Sequence, residues 1–294
     1  MNIQNYILNV TEQLSDFYKK DHAQVVAWWL LEHVTSKNKA QLLVTQELLS
    51  DEQKVMLAVF IKELIVDHKP LQYILGSVDF GPLTLSVAPP TLIPRPETEN
   101  WVFDLLQNLA PFKNEKLTLL DMCTGSGAIG LWLSKALPNA HVYAVDIAES
   151  ALQLAKHNAQ TNNISNITFI QSDLFDALPQ DIKFDLIVSN PPYIADNEWQ
   201  ALEPHVKNWE DKGALVASNN GLFLIEQIIK NAQKFLKKDS VLTEHHLARL
   251  VIEIGHEQGD VVKKLFEEHA SYKNVTVLKD CNNKDRVVQS LLFN

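Results

Sequence analysis

Apolar residues recur at three- and four-residue spacing in "NYILNVTEQLSDFY", "HAQVVAWWLLEHVT" and "SDEQKVMLAVFIKELIVDH", all within residues 1–70. That period describes one face of an α-helix, so the segment predicts a small helical domain. Ser50 with Gln53 three positions on reads as a capping box at a helix start. Trp28 and Trp29 fall inside an apolar periodic run and are expected in its core. Over residues 71–95 the pattern shortens to "LQYILGSVDFG" and "PLTLSV", punctuated by Gly76, Gly81, Pro82 and the Pro89-Pro90 pair. Such pieces predict a β-hairpin linker.

A third region, 96–294, opens with a helix carrying Pro96 at an early position and acids in its first turn. From about residue 115 strands and helices alternate. The predicted strands are "LTLLDMC", "HVYAVDI", "ITFIQSD", "FDLIVSN", "RLVIEIG", "VTVLKD" and "VVQSLLF". Buried strands separated by helices predict a doubly wound α/β sheet. The connection "DCNNKD" between the last two is too short for a parallel crossover, so an antiparallel final hairpin follows. The expected fold class is α/β: a Rossmann-like, methyltransferase-type sheet with that hairpin, plus the small N-terminal helical domain.

Composition narrows the classes. Across 294 residues, 26 basic against 36 acidic residues give a formal charge of −10, which disfavours broad nucleic-acid binding. The two cysteines, Cys123 and Cys281, form no CxxC pair, so neither a disulfide framework nor a zinc site is expected. Glu244, His245 and His246 read as a solvated loop, and no metal is expected. No apolar run reaches membrane-span length, and the N-terminus has no signal-peptide pattern. A cytoplasmic protein is the expectation.

The stretch "LLDMCTGSGAIG", residues 119–130, runs from a strand through a glycine turn into a helix. Gly125, Gly127 and Gly130 satisfy G-x-G-x-x-G, a weak signal alone, shared by dinucleotide and S-adenosylmethionine sites. Asp121 is placed to organise the loop and face a cationic cofactor. Asp146 ends the next strand, where an acid accepts ribose hydroxyls. Asp173 ends a third strand, as an acceptor for an adenine amino group, with Leu174 to pack on the base. Three acids at successive strand ends share the edge where such sheets bind ligands.

"SNPPYIAD", residues 189–196, follows the fourth strand, beside the switch point of the sheet. The Asn190 side-chain oxygen and the Pro191 carbonyl are acceptors, and neither proline has an N–H. Together they suit both N–H bonds of a planar amino or amide group, with Tyr193 offering a face for stacking.

"TLIPRPETE", "LDMCTGSGAIG", "AVDI", "QSDLF", "SNPPYI" and "ALVASNNGL", in this order, resemble the HemK/PrmC family of peptide chain release factor glutamine methyltransferases. The similarity covers most of the chain. It implies S-adenosylmethionine as cofactor and, as substrate, the glutamine of the Gly-Gly-Gln loop of release factors. By position it implies a cofactor loop of Cys123, Thr124, Gly125, Ser126 and Gly127. Asp146 would take the ribose, and Leu174 would lie near the adenine. Asn190, Pro191, Pro192 and Tyr193 would hold the glutamine, with Asn190 also close to the cofactor. Arg95 and Glu97 fall in the "PRPETE" stretch without an assignable contact. Residues 1–70 would dock the substrate, and the protein would act as a monomer without sequence-specific nucleic-acid binding.

Two features depart from the family pattern. Cys123 stands where many members have glycine, and "KKDSVLTEHHLARLVIEIG" lacks the usual Pro-Gly-Gly turn. Four other readings stay open: a ribosomal-protein glutamine methyltransferase, a nucleic-acid amino-methyltransferase, a nicotinamide-dependent dehydrogenase and a binding-only scaffold. The dehydrogenase leaves "NPPY" unexplained. "IPRPETE" and the "DRVV" near the C-terminus favour the release-factor branch.

Overall fold

A computed structural model describes residues 3–44 and 48–292. Residues 1–2, 45–47 and 293–294 of the predicted regions lie outside the described residues. The chain divides into two units, Met1–Gly76 with Glu203–Trp209, and Ser77–Leu202 with Glu210–Asn294.

The first unit is helical, with helices Ile3–Leu14, Lys20–Thr35, Lys39–Val44, Asp51–Ile65 and Leu71–Leu75. Ile7, Leu14, Val26, Leu30, Leu57 and Leu64 make its buried centre. The capping box forms: Gln53 N donates to Ser50 Oγ at 3.2 Å, and Ser50 N donates to Gln53 Oε1 at 2.9 Å. Two details differ from the sequence pattern. "LQYIL" is a short helix rather than a strand: Leu71 and Ile74, one turn apart, are both buried, and Gly76 at φ 75° caps it with its N–H on Gln72 O. Trp29 is 45% exposed, lining an open groove with Phe17 and Val25 rather than filling the core. Trp28 is half-buried, with the Lys39 ammonium 4.9 Å from its ring.

In the second unit, β1 (Ser77–Phe80) and β2 (Leu83–Ser86) form an antiparallel hairpin. The other strands are β3 (Thr118–Met122), β4 (His141–Asp146), β5 (Ile167–Gln171), β6 (Leu186–Ser189), β7 (Ile194–Ala195), β8 (Val216–Ala217), β9 (Leu250–Glu253), β10 (Tyr272–Lys279) and β11 (Asp285–Leu292). Seven of them make one sheet in the order β10-β11-β9-β6-β3-β4-β5. These are the seven strands that the sequence pattern predicts. β3, β4, β5, β6 and β9 run parallel, and β11 is antiparallel to both β9 and β10. From β3 the chain winds outward through β4 to β5, then returns to β6 on the other side of β3. That reversal opens a crevice at the carboxyl ends of β3 and β6. Helices such as Pro96–Leu109, Ala128–Ala136, Glu149–Thr161 and Phe223–Phe235 cover the sheet with apolar faces. Pro96 takes the first-turn position that its missing N–H allows.

The long stretch before β9 is anchored rather than loose. Fully buried Arg249 donates to the Asp185 carbonyl, to Thr243 Oγ1, to Lys237 O at 3.0 Å and to Phe184 O at 3.3 Å. The Asp185 carboxylate accepts from Lys237 Nζ at 2.5 Å, Ser240 Oγ at 2.7 Å and Thr118 N at 2.7 Å. His245 meets the Phe112 ring edge-on at 5.0 Å. Among the described residues no three potential metal ligands cluster, and no helix is long and apolar enough to cross a membrane.

Arg249→Met removes the donor from the Asp185, Phe184 and Lys237 carbonyls and the charge beside the Asp185 carboxylate, and is expected to cost about 3 kcal/mol. A fall in the thermal unfolding midpoint checks this; an unchanged midpoint contradicts it.

Candidate active site

The glycine loop leaves β3 in a conformation few residues accept. Cys123, Gly125 and Gly127 have φ of 62°, 55° and 89°, all left-handed. Position 123 is therefore one where glycine is cheaper, and cysteine bears the strain there. Asp121 is completely buried and holds the loop from beneath. Its Oδ2 accepts from Thr124 Oγ1 at 2.5 Å and from Gly130 N at 2.8 Å. Burial pushes its carboxyl up to about 7, and these two hydrogen bonds pull the other way. Asp121 thus organises the loop as expected, but its burial keeps it from lining the ligand crevice.

Asp146, at the end of β4, holds the loop from the other side. Gly125 N donates to its Oδ2 at 2.8 Å and Ala148 N to its Oδ1 at 2.9 Å. A carboxylate has about four acceptor sites, so Asp146 keeps acceptor capacity for a ligand hydroxyl beyond its backbone donors. Burial raises its carboxyl above the usual range, against three backbone N–H groups that lower it. The buried Asn158 side chain ties the loop to the hairpin, donating to Ser126 O at 3.0 Å and Ser86 O at 3.1 Å.

A cavity of about 330 Å³ opens at this sheet edge. Of the residues expected there, Cys123, Gly125, Asp146, Asp173, Leu174 and Asn190 line it, as does Pro192. Thr124 and Ser126 are buried, and with Gly127 they shape the loop without lining the cavity. Pro191 and Tyr193 lie outside its lining, and so do Arg95 and Glu97. The Arg95 guanidinium instead donates to the buried Glu210 carboxylate at 2.5 Å. The sequence reading missed Asp211 and Ile147, which also face the cavity. With Asp146 and Asp173, Asp211 makes a third carboxylate at the wall. Carboxylates beside apolar Leu174 and Ile147 suit a cationic nucleoside better than a pyrophosphate.

After β6, Ser189 Oγ donates to Met122 O at 2.8 Å, which fixes Asn190 beside the glycine loop. Asn190 Nδ2 donates to Thr98 Oγ1 at 3.2 Å. The Tyr193 hydroxyl donates to Glu253 Oε1 at 3.4 Å. Thr98 Oγ1 and Trp101 Nε1 both donate to Glu253 Oε2 at 2.7 Å. Burial pushes the Glu253 carboxyl up, while Thr98, Trp101, the nearby Arg286 charge and Tyr193 pull it down. Burial also raises the Tyr193 phenol, with the Glu253 charge adding to it. The Tyr193 carbonyl accepts from Gln258 Nε2 at 2.9 Å. Gly221, at φ 80°, passes so close that a Cβ there would stand 2.0 Å from that carbonyl oxygen. None of these supports was read from the sequence. Glu253 did leave a signal, as the lone acid in the apolar strand "LVIE".

Two family profiles match the chain: the PrmC N-terminal domain over residues 7–76 and a methyltransferase domain over residues 113–290. The release factor glutamine methyltransferase of Aliivibrio fischeri is 37% identical over 91% of this chain and 89% of its own length. That of Bacillus anthracis is 36% identical over 87% of this chain and 88% of its own length. Among solved structures, the SAM-dependent methyltransferase from Agrobacterium tumefaciens superposes with a TM-score of 0.51 at 14% identity, covering 74% of this chain and 70% of that one. The hMettl16 catalytic domain in complex with an RNA hairpin of the MAT2A 3'UTR gives 0.53 at 20% identity, covering 90% and 91%. At such identities the structural likeness establishes the fold alone.

Burial and the Asp146 charge push the Cys123 thiol up, whereas Cys281 is exposed. Since the thiolate is the reactive form, a thiol reagent at mildly alkaline pH is expected to label Cys281 quickly and Cys123 slowly. Two thiols reacting at one fast rate would contradict the raised Cys123 thiol.

Proposed function

Because the chain belongs to the release factor glutamine methyltransferase family, we propose that it methylates the side-chain amide nitrogen of the Gly-Gly-Gln glutamine in peptide chain release factors. The observation that carries this reading is the meeting of a carboxylate-walled nucleoside cavity with Asn190 at one sheet edge. S-adenosylmethionine is the cofactor, and it supplies an electrophilic methyl group on a sulfonium.

The chain's own residues then have separable roles. Asp146 takes the ribose hydroxyls with its remaining lone pairs, and Asp173 accepts from the adenine amine while Leu174 and Ile147 contact the base. Cys123, Thr124, Gly125, Ser126 and Gly127 form the loop around the methionyl part. Asn190 Oδ1 and the Pro191 carbonyl accept the two N–H bonds of the glutamine amide. Pro192 keeps the segment rigid, and Tyr193 gives the flat amide a face. An amide nitrogen is a poor nucleophile because its lone pair is delocalised. Two acceptors on its protons stabilise the positive charge that grows as the N–C bond forms and the methyl–sulfur bond breaks to leave a neutral thioether, after which one proton leaves to water. Holding nitrogen and methyl in line supplies the rest of the barrier reduction.

The helical first unit is proposed to dock the release factor. It offers an apolar groove of about 610 Å³ with Phe17, Val25 and Trp29 exposed on it. The same reading takes the protein as a cytoplasmic monomer that makes no sequence-specific nucleic-acid contact, supported by its charge of −10.

Labelled cofactor offered with release factor, ribosomal protein and DNA in parallel tests the function. Label in the release factor alone is expected; label only in ribosomal protein or only in DNA overturns the reading. Asn190→Ala is expected to lower turnover by roughly 10²- to 10³-fold while cofactor binding largely survives; near-normal turnover would remove Asn190 from the mechanism. Asp146→Ala is expected instead to weaken cofactor binding by roughly 1.5–3 kcal/mol, read by calorimetry.

A further inference from the structure

An asparagine amide has a donor end and an acceptor end, and only the acceptor end suits an incoming N–H₂ group. What decides which end Asn190 presents lies outside the cavity. Glu253 is 1% exposed at the end of β9, and every side chain hydrogen-bonded to it donates. Trp101 Nε1 has only a proton to give, and Thr98 spends its single proton on the same carboxylate oxygen. The Thr98 hydroxyl therefore has only lone pairs left for Asn190, whose Nδ2 stands 3.2 Å away. Turning the amide over would set Oδ1 against Thr98 Oγ1, two acceptors with no proton between them.

We infer that Thr98 and Glu253 are positioning residues that lock Asn190 with its oxygen toward the substrate amide, and that Glu253 holds the Tyr193 hydroxyl in the same grip. This rests on the role proposed for Asn190 above. The lock makes the substrate-facing end of Asn190 an acceptor only, which admits an amide N–H₂ and repels a carboxylate. It also joins three parts of the chain remote in sequence: the helix that follows "PRP", the segment after β6, and β9. Glu253 needs no contact with substrate or cofactor for this, and it does not line the cofactor cavity.

The test compares Thr98→Val, which keeps the shape and removes the hydroxyl, with Thr98→Ser, which keeps the hydroxyl. Steady-state methylation of release factor is measured beside S-adenosylhomocysteine binding. The Val variant is expected to lose about 10-fold in kcat, the worth of one oriented hydrogen bond, with unchanged S-adenosylhomocysteine affinity. The Ser variant is expected to recover most of the rate. A Val variant as fast as the wild type, or a Ser variant as slow as Val, overturns the inference. If the Val variant unfolds, Glu253→Gln and Glu253→Met carry the test. Gln retains an oxygen for Thr98 and Trp101 and should be the faster; equal rates overturn the lock. Wild-type protein that methylates no release factor would instead refute the functional reading itself.

Discussion

The site depends on the parallel pairing of β3 with β6. Met122 lies opposite Ser189 in that register, and the Ser189 hydroxyl closes on the Met122 carbonyl. The two strands therefore release their loops side by side, one into the glycine turn and the other into Asn190 and the prolines. A shift of the pairing would separate the cavity lined by Cys123 and Asp146 from Asn190 and the prolines. Both strands are wholly apolar on their buried faces apart from Asp121 and Ser189, and each of those makes a specific hydrogen bond. The register is thus set by packing and marked by the Ser189–Met122 bond across the two strands, while Asp121 fixes the loop that leaves β3.

Buried polar groups do much of the positioning elsewhere in the second unit. Asn158 joins hairpin and glycine loop, Arg249 closes the stretch before β9, and Glu253 gathers Thr98, Trp101 and Tyr193 behind Asn190. Each is costly to bury without partners and therefore specific once they are supplied. The strain at Cys123 fits the same scheme. A left-handed residue beside the cavity persists because Asp121, Asp146 and Val145 pin the turn around it.

Much of the fold was legible because it rests on local pattern. The seven strands, the final hairpin, the Ser50 cap and the Pro96 helix start all follow from periodicity and end signals. Two misreadings show where pattern runs out. "LQYIL" is too short for its period to separate strand from helix, and Trp29 sits inside an apolar run, residues 25–31, whose buried stripe is narrower than the run. The cavity wall was legible where acids end strands, at Asp146 and Asp173. Asp211 and Ile147 were not, since nothing local marks them as facing the cavity. Thr98 and Gln258 stand far along the chain from the residues they hold, and no spacing rule connects them. Glu253 was not read either, although an acid in the apolar strand "LVIE" is a local mark of a buried network.

The central claim is that this edge of the sheet grips an amide nitrogen. The direct measurement is chemical: hydrolyse methylated release factor in acid and identify the volatile one-carbon product. A methyl group on the glutamine nitrogen leaves as methylamine, which is the predicted result. Methanol, the mark of an ester, or a methylated base recovered from nucleic acid would contradict the account.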